Sequence, residues 1–230
     1  MKRLQNCPSP ALGALVDSGR LAVFLDANIL IPQYLRAVFL DLAEADVYLP
    51  FWSQQVIAEV RRNLCLPTGS FRIPKSRVEQ FLGEMQASFP EAEAPDSRHL
   101  EPLFSGLADV KDQHVAASAL GISQSVPGGR PVVLVTANTR HLPHSAFEGT
   151  LVSSTTPDAF LDTIFSRHHA TTGPVLDALC RRFTRPPIGR VELVGCLVKA
   201  GCTESAMRLA GHWNLGLKRP SKSSRKSVKS

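Results

Sequence analysis

The sequence predicts an α/β fold built on a parallel sheet, with a C-terminal helical appendage and a basic, disordered tail. Three observations carry that reading. Two short runs, Ala22-Val23-Phe24-Leu25 and Val132-Val133-Leu134-Val135, are apolar without alternation, as strands buried on both faces are. Each run ends in polar side chains, Asp26 and Asn28 after the first and Thr136 and Asn138 after the second. Helical periodicity follows the first run and precedes the second, so strands and helices alternate as a parallel sheet requires.

Each element follows from local chemistry. Residues 1–19 hold two prolines and two glycines and read as an irregular lead-in with one helical turn at 11–16. After the strand at 22–25, apolar Ile29, Leu30, Tyr34, Leu35, Val38, Phe39 and Leu42 recur at helical spacing. This predicts a helix over 29–44, with Pro32 in its first turn. Val47, Tyr48 and Leu49 form a second strand closed by Pro50. Ser53 caps a helix whose stripe is Val56, Ile57, Val60 and Leu64, leaving Glu59 at the stripe's border. A loop at 66–73 leads to a helix at 75–88, and the acidic, proline-rich stretch 89–102 is a long surface connection of the kind that borders sites.

Asp109 or Asp112 then caps a helix of small apolar residues, Val115 to Leu120, that must lie close against a sheet. His114, just inside it, reads as a packed histidine rather than a metal ligand. The strand at 132–135 is followed by a short one near Leu151 and Val152, then by a Thr156-capped helix with Pro157 in its first turn. Short helices at 174–182, 189–200 and 203–213 complete the chain. The division is therefore 1–19 irregular lead-in, 20–167 α/β domain, 168–213 helical appendage and 214–230 basic flexible tail.

Composition bounds the function. Lys and Arg number 26 against 20 Asp and Glu, a formal net charge of +6. Lys218, Arg219, Lys222, Arg225, Lys226 and Lys229 account for that excess, so the body is formally neutral. The tail can add nonspecific phosphate affinity or simply solubilise the chain. Cys7, Cys65, Cys180, Cys196 and Cys202 are odd in number without a Cys-x-x-Cys pair, which favours neither a disulfide framework nor a zinc site. No apolar run approaches the roughly 18 residues that span a bilayer, and the N-terminus lacks a long apolar stretch with a cleavage site. A soluble cytoplasmic protein is expected.

The acids give the chemistry. Asp26, Glu59, Asp109 and Asp112 fall at strand ends and helix starts, with Asn28, Thr136 and Asn138 beside them. Each has a plainer reading: Asp26, Asn28, Asp109 and Asp112 as helix caps, Glu59 as a solvated glutamate paired with Arg62 or Asn63. Carboxylates that converge repel one another unless a cation lies among them, and hard oxygen ligands select Mg²⁺ or Mn²⁺. Such ions activate water for attack on a phosphodiester.

Four segments carry a resemblance: Phe24-Leu25-Asp26-Ala27-Asn28, the helix Val56-Ile57-Ala58-Glu59-Val60, Asp109-Val110-Lys111-Asp112-Gln113-His114, and Val135-Thr136-Ala137-Asn138 followed by Leu142-Pro143. Their order and spacing resemble PIN-domain nucleases over about residues 20–167. Thr156-Pro157-Asp158-Ala159-Phe160-Leu161 looks like the closing motif of the bacterial VapC-like toxin branch. The resemblance implies a doubly wound, PIN-like parallel sheet and a Mg²⁺- or Mn²⁺-dependent endoribonuclease, the toxin of a type II toxin–antitoxin pair. RNA would be its substrate, an antitoxin protein its partner, and a homodimer one assembly open to it. By position, Asp26, Glu59 and Asp112 would be the catalytic, metal-binding acids, Asp109 an accessory metal-binding acid, and Asn28, Thr136 and Asn138 supporting groups. One departure stands out: the family offers another acid at Asn138 or three residues on, where this chain has His141.

Two other readings compete. A haloacid-dehalogenase-like phosphatase also begins with an apolar strand ending in Asp, but needs a second Asp two residues on, and Asn28 cannot transfer that proton. A catalytically weak PIN-like RNA-binding or regulatory protein fits Asn138, His141 and the basic tail.

Overall fold

The computed structural model describes residues 12–17, 21–66, 73–184 and 186–217. Most of the lead-in, Cys7, most of the 66–73 loop and the tail's basic residues lie outside the described residues. The element order is α1 (Leu12–Asp17), β1 (Ala22–Leu25), α2 (Ala27–Leu30), α3 (Gln33–Glu44), β2 (Leu49–Phe51), α4 (Gln54–Cys65), α5 (Lys75–Ser88), α6 (Gln113–Gln124), β3 (Val132–Val135), β4 (Val152–Thr155), α7 (Pro157–Arg167), α8 (His169–Arg182), α9 (Arg190–Lys199) and α10 (Thr203–His212). Short 3₁₀ segments occupy Arg98–Phe104, Val110–Asp112 and His144–Phe147.

The four strands form one all-parallel sheet in the order β2-β1-β3-β4, compatible with a doubly wound fold. Both predicted apolar runs are its central strands, and every residue in them is at most 1% exposed. Continuous hydrophobicity is what burial on two faces demands. Leu25 of β1 pairs with Val135 of β3, so the two strands end side by side.

Two predicted boundaries are corrected. The single helix over 29–44 is two helices, because Pro32 has no N–H to donate and its ring opposes a continuing turn. Pro32 instead takes an extended conformation as the N-cap of α3, and Arg36 Nη1 donates to the freed carbonyls of Leu30 (2.6 Å) and Ile31 (3.2 Å). The second strand begins two residues later than expected and runs through Pro50. A proline is tolerated there because β2 is an edge strand. Val47 and Tyr48 are buried before it, with the Tyr48 hydroxyl donating to Phe39 O at 2.6 Å.

Beyond β2 the chain stays extended. Trp52 bridges to Glu93 in parallel, Trp52 N donating to Ala92 O (2.9 Å) and Ala94 N to Trp52 O (2.8 Å). The long 89–102 connection is thereby tied to the sheet's edge.

The C-terminal helices pack on the α/β body: α8 and α9 against α3, and α10 along α7. Their buried residues Leu176, Leu197 and Leu209 belong to the same hydrophobic cluster as the strands. Asp158 in the first turn of α7 accepts the N–H groups of Glu204 (3.1 Å) and Ser205 (2.9 Å), capping α10 from another helix. Arg182 pairs with Asp41, and Arg208 with Asp162. Cys65, Cys180, Cys196 and Cys202 are free thiols. No helix among the described residues is long and apolar enough to cross a membrane.

Phe160 of α7 is fully buried, stacked on Phe39 (5.6 Å between centroids) and edge-on to Tyr48 (5.3 Å). Phe160→Ala is expected to remove about 3–5 kcal/mol of stability, read as a fall in the urea unfolding midpoint. A change under 1 kcal/mol would mean that α7 is not anchored there.

Candidate metal centre

The adjacent ends of β1 and β3 build the centre. Asp26 N still donates to Val135 O (3.2 Å), so Asp26 is the first residue whose side chain clears the sheet. Its backbone is extended and its carboxylate caps α2, Oδ1 accepting from Ala27 N at 2.7 Å. Capping uses one oxygen. The other, Oδ2, accepts from Thr136 Oγ1 (2.6 Å) and from Asn28 Nδ2 (2.5 Å).

The supporting residues lock one another. Asn28 Oδ1 accepts from Ala137 N (2.9 Å), while Thr136 Oγ1 accepts from Asn138 N (2.9 Å) and Asn28 Nδ2 (3.1 Å). Asn28 therefore clamps the turn after β3 to the turn after β1, and Thr136 is fully buried between them.

Asp26 is 5% exposed, and that burial raises its pKa from 3.8 to about 6. The hydrogen bonds from Thr136 and Ala27 pull it down, whereas the charges of Glu59 and Asp112 push it up. Glu59 and Asp112, which the sequence placed on separate elements, thus each lie within electrostatic reach of Asp26. Glu59 is half-buried on α4. Asn63 Nδ2 donates to its backbone carbonyl (2.9 Å), but its carboxylate has no hydrogen-bond or ion-pair partner among the described residues.

The entrance to α6 separates two roles. Asp109 Oδ1 accepts from Lys111 N at 2.9 Å and so caps the 3₁₀ turn Val110–Asp112. Asp112 occupies the N-cap position of α6 but makes no side-chain capping bond. Its Oδ2 accepts instead from Asn138 Nδ2 (2.8 Å) and lies 3.4 Å from His141 Nδ1. Burial raises the Asp112 pKa and Asp109 adds to the rise; His141, Asn138 and His114 oppose it.

Asp109, Asp112 and His141 each offer a ligand atom, all within 4.8 Å of one another. Two carboxylate oxygens and an imidazole nitrogen at that spacing could hold a divalent cation. Asp26 and Glu59 are outside this group, and the charge of Asp112 acts on Asp26. His141 was not among the ligands expected from the sequence. The signal for it was its place three residues after Asn138, where the resemblance reserves an acid. His114 is half-buried with Nδ1 lacking a hydrogen-bond partner, and burial lowers its pKa against the opposing pull of Glu59, Glu101 and Asp112.

No family model, curated protein or solved structure matches the chain.

A pH dependence follows from Asp26. The folded chain holds that proton more tightly than the unfolded one, so its stabilising contribution is full below pH 3.8 and is lost as pH rises through about 6. Between pH 5 and 7.5 in EDTA, wild type should lose about 1.4 kcal/mol relative to Asp26→Asn in urea titrations. Parallel pH curves for the two proteins would show that Asp26 titrates normally.

Proposed function

We propose that this chain is a PIN-like, Mg²⁺- or Mn²⁺-dependent endoribonuclease with a doubly wound sheet, acting in the cytoplasm as the toxin of a type II toxin–antitoxin pair. The observation that supports the reading is the action of the Glu59 and Asp112 charges on the buried carboxylate of Asp26, three acids from separate elements. Burial raises the pKa of both Asp26 and Asp112, a penalty that a cation would offset.

Asp109, Asp112 and His141 would hold a cation, with Asp26 coupled to it through Asp112 and to Glu59 on α4. When bound, the ion supplies a more acidic water and charge compensation for the phosphodiester. The chain's own groups set the frame. Thr136 and Asn28 keep Asp26 Oδ2 oriented, and Asn138 keeps Asp112 Oδ2 oriented. His141 contributes a neutral nitrogen where an acid is expected, which favours Mn²⁺ over Mg²⁺. An antitoxin would reach this cleft with a lysine or arginine, the charge the acids lack.

A second reading rests on the same substitution: Asn138 presents N–H donors to Asp112 where an acid would add a ligand oxygen. This would leave a PIN-like RNA-binding or regulatory protein with weak turnover.

Calorimetric Mn²⁺ titration of wild type and Asp112→Asn, paired with cleavage of a mixed RNA pool, separates the two. The nuclease reading expects saturable binding that Asp112→Asn abolishes, tighter binding of Mn²⁺ than Mg²⁺, and at least ~100-fold slower cleavage in Asp26→Asn. RNA binding without Mn²⁺-dependent cleavage would establish the second reading. Equal cleavage by wild type and Asp26→Asn would refute the nuclease reading.

A further inference from the structure

Residues of the helices that carry Glu59 and His114 line a polar cavity of about 360 Å³. On α4, Gln55 lies four residues before Glu59, and on α6, Ser118 lies four residues after His114. Each step is one turn on the same helix face, about 6 Å along the axis. Glu101 joins the two ends: its Oε1 accepts from Gln55 Nε2 (3.2 Å), and its charge acts on His114. The cavity's lining thus lies one helical turn from Glu59 and from His114, bounded by the start of α4 and the 93–98 stretch.

Ser118 is 2% exposed, lines the cavity, and its hydroxyl has no hydrogen-bond partner among the described residues. The hydroxyl opens onto the cavity, where it is free to donate or accept. The cavity wall packs closely on α6. Gly121, one turn on, lets the 95–97 stretch close over α6, since a Cβ there would lie 1.9 Å from Ser97 Oγ.

The remaining groups define what fits. Asp96 is neutralised by Arg98, whose Nε and Nη2 engage both of its oxygens. Glu93 is held by the bridge to Trp52, and only its Oε1 is engaged, by Gln54 Nε2 at 2.7 Å. The cavity therefore presents a carboxylate with accepting capacity left over, plus the Ser118 hydroxyl, and no unpaired cation. A phosphate is disfavoured. A planar ligand with two adjacent N–H donors suits a carboxylate best, and among nucleobases guanine alone carries such a pair, N1–H beside the 2-amino group. Single-stranded RNA is read in this way, on the edges of unstacked bases.

We infer that this cavity is a guanine-binding subsite, in which Glu93 and Ser118 read the base of a nucleotide next to the phosphodiester held at the acids. The inference rests on the nuclease reading for the role of the bound base, and on the cavity alone for the binding itself. Glu93 and Ser118 would then set cleavage specificity without taking part in the chemistry.

The test uses guanosine, inosine and adenosine titrated into the full chain in EDTA, followed by ligand-observed NMR. Guanosine should bind saturably. Inosine, which lacks the 2-amino group, should bind about tenfold more weakly, the factor for one hydrogen bond of ~1.4 kcal/mol. Adenosine should not saturate. Glu93→Gln and Ser118→Ala should each weaken guanosine by about tenfold or more while leaving the thermal midpoint unchanged. Equal binding of the three nucleosides, no binding of any, or guanosine binding indifferent to both variants would overturn the subsite. Guanosine binding without Mn²⁺-dependent RNA cleavage would preserve it and refute the nuclease reading. Cleavage without preference for guanosine sites would do the reverse.

Discussion

The carboxylate of Asp26 is withdrawn from water at the point where β1 leaves the sheet, and its neighbours are arranged to keep it there. Parallel pairing puts Leu25 opposite Val135, so whatever follows β1 meets whatever follows β3. The residues that follow are an acceptor, Asp26, and donors, Thr136 and Asn28. Three hydrogen bonds only partly offset the loss of solvation, and the pKa settles near 6. A carboxyl group held in this state is under electrostatic tension that a cation, or a proton, relieves.

The other acids share the tension unequally. Asp109 is occupied with capping a 3₁₀ turn, whereas Asp112, nominally the cap of α6, is released from that duty and turned toward Asn138 and His141. Asn138 and His141 add no negative charge while meeting Asp112 with polar atoms. The cluster thus carries fewer charges than an all-carboxylate site, with nitrogen in place of one oxygen. A softer ligand set and lower charge alter which cations bind more than they alter whether one fits.

The C-terminal helices contribute through packing. They bury the outer surfaces of α3 and α7 and extend the same apolar cluster that holds the strands. Asp158 links this layer to the body, since a carboxylate in the first turn of α7 satisfies the free N–H groups at the start of α10. The start of α7 also follows β4 directly, so the helix that anchors the C-terminal layer is fixed by the sheet.

Much of this was legible in the chain itself. The runs at 22–25 and 132–135 determine two central strands, because residues apolar on both faces have nowhere else to go. Ser53 and Thr156 determine two helix starts, because their hydroxyls satisfy N–H groups three residues on. Pro32 and Pro50 were visible, but their consequences were not. Whether a proline breaks a helix or ends a strand depends on which partners its missing N–H faces, and those partners come from elsewhere in the fold. The candidate acids were legible as residues, and the roles of Asp109 and Asp112 were not, since either could cap the helix. His141 beside Asp112 and Ser118 facing a cavity walled by the 93–98 stretch depend on distances between residues far apart in sequence. Local hydrogen bonding and hydrophobic patterning act over a few residues and are written in the order of the chain. The proximity of charges and the shape of a cavity arise only when separate elements pack, and the tertiary structure alone decides them.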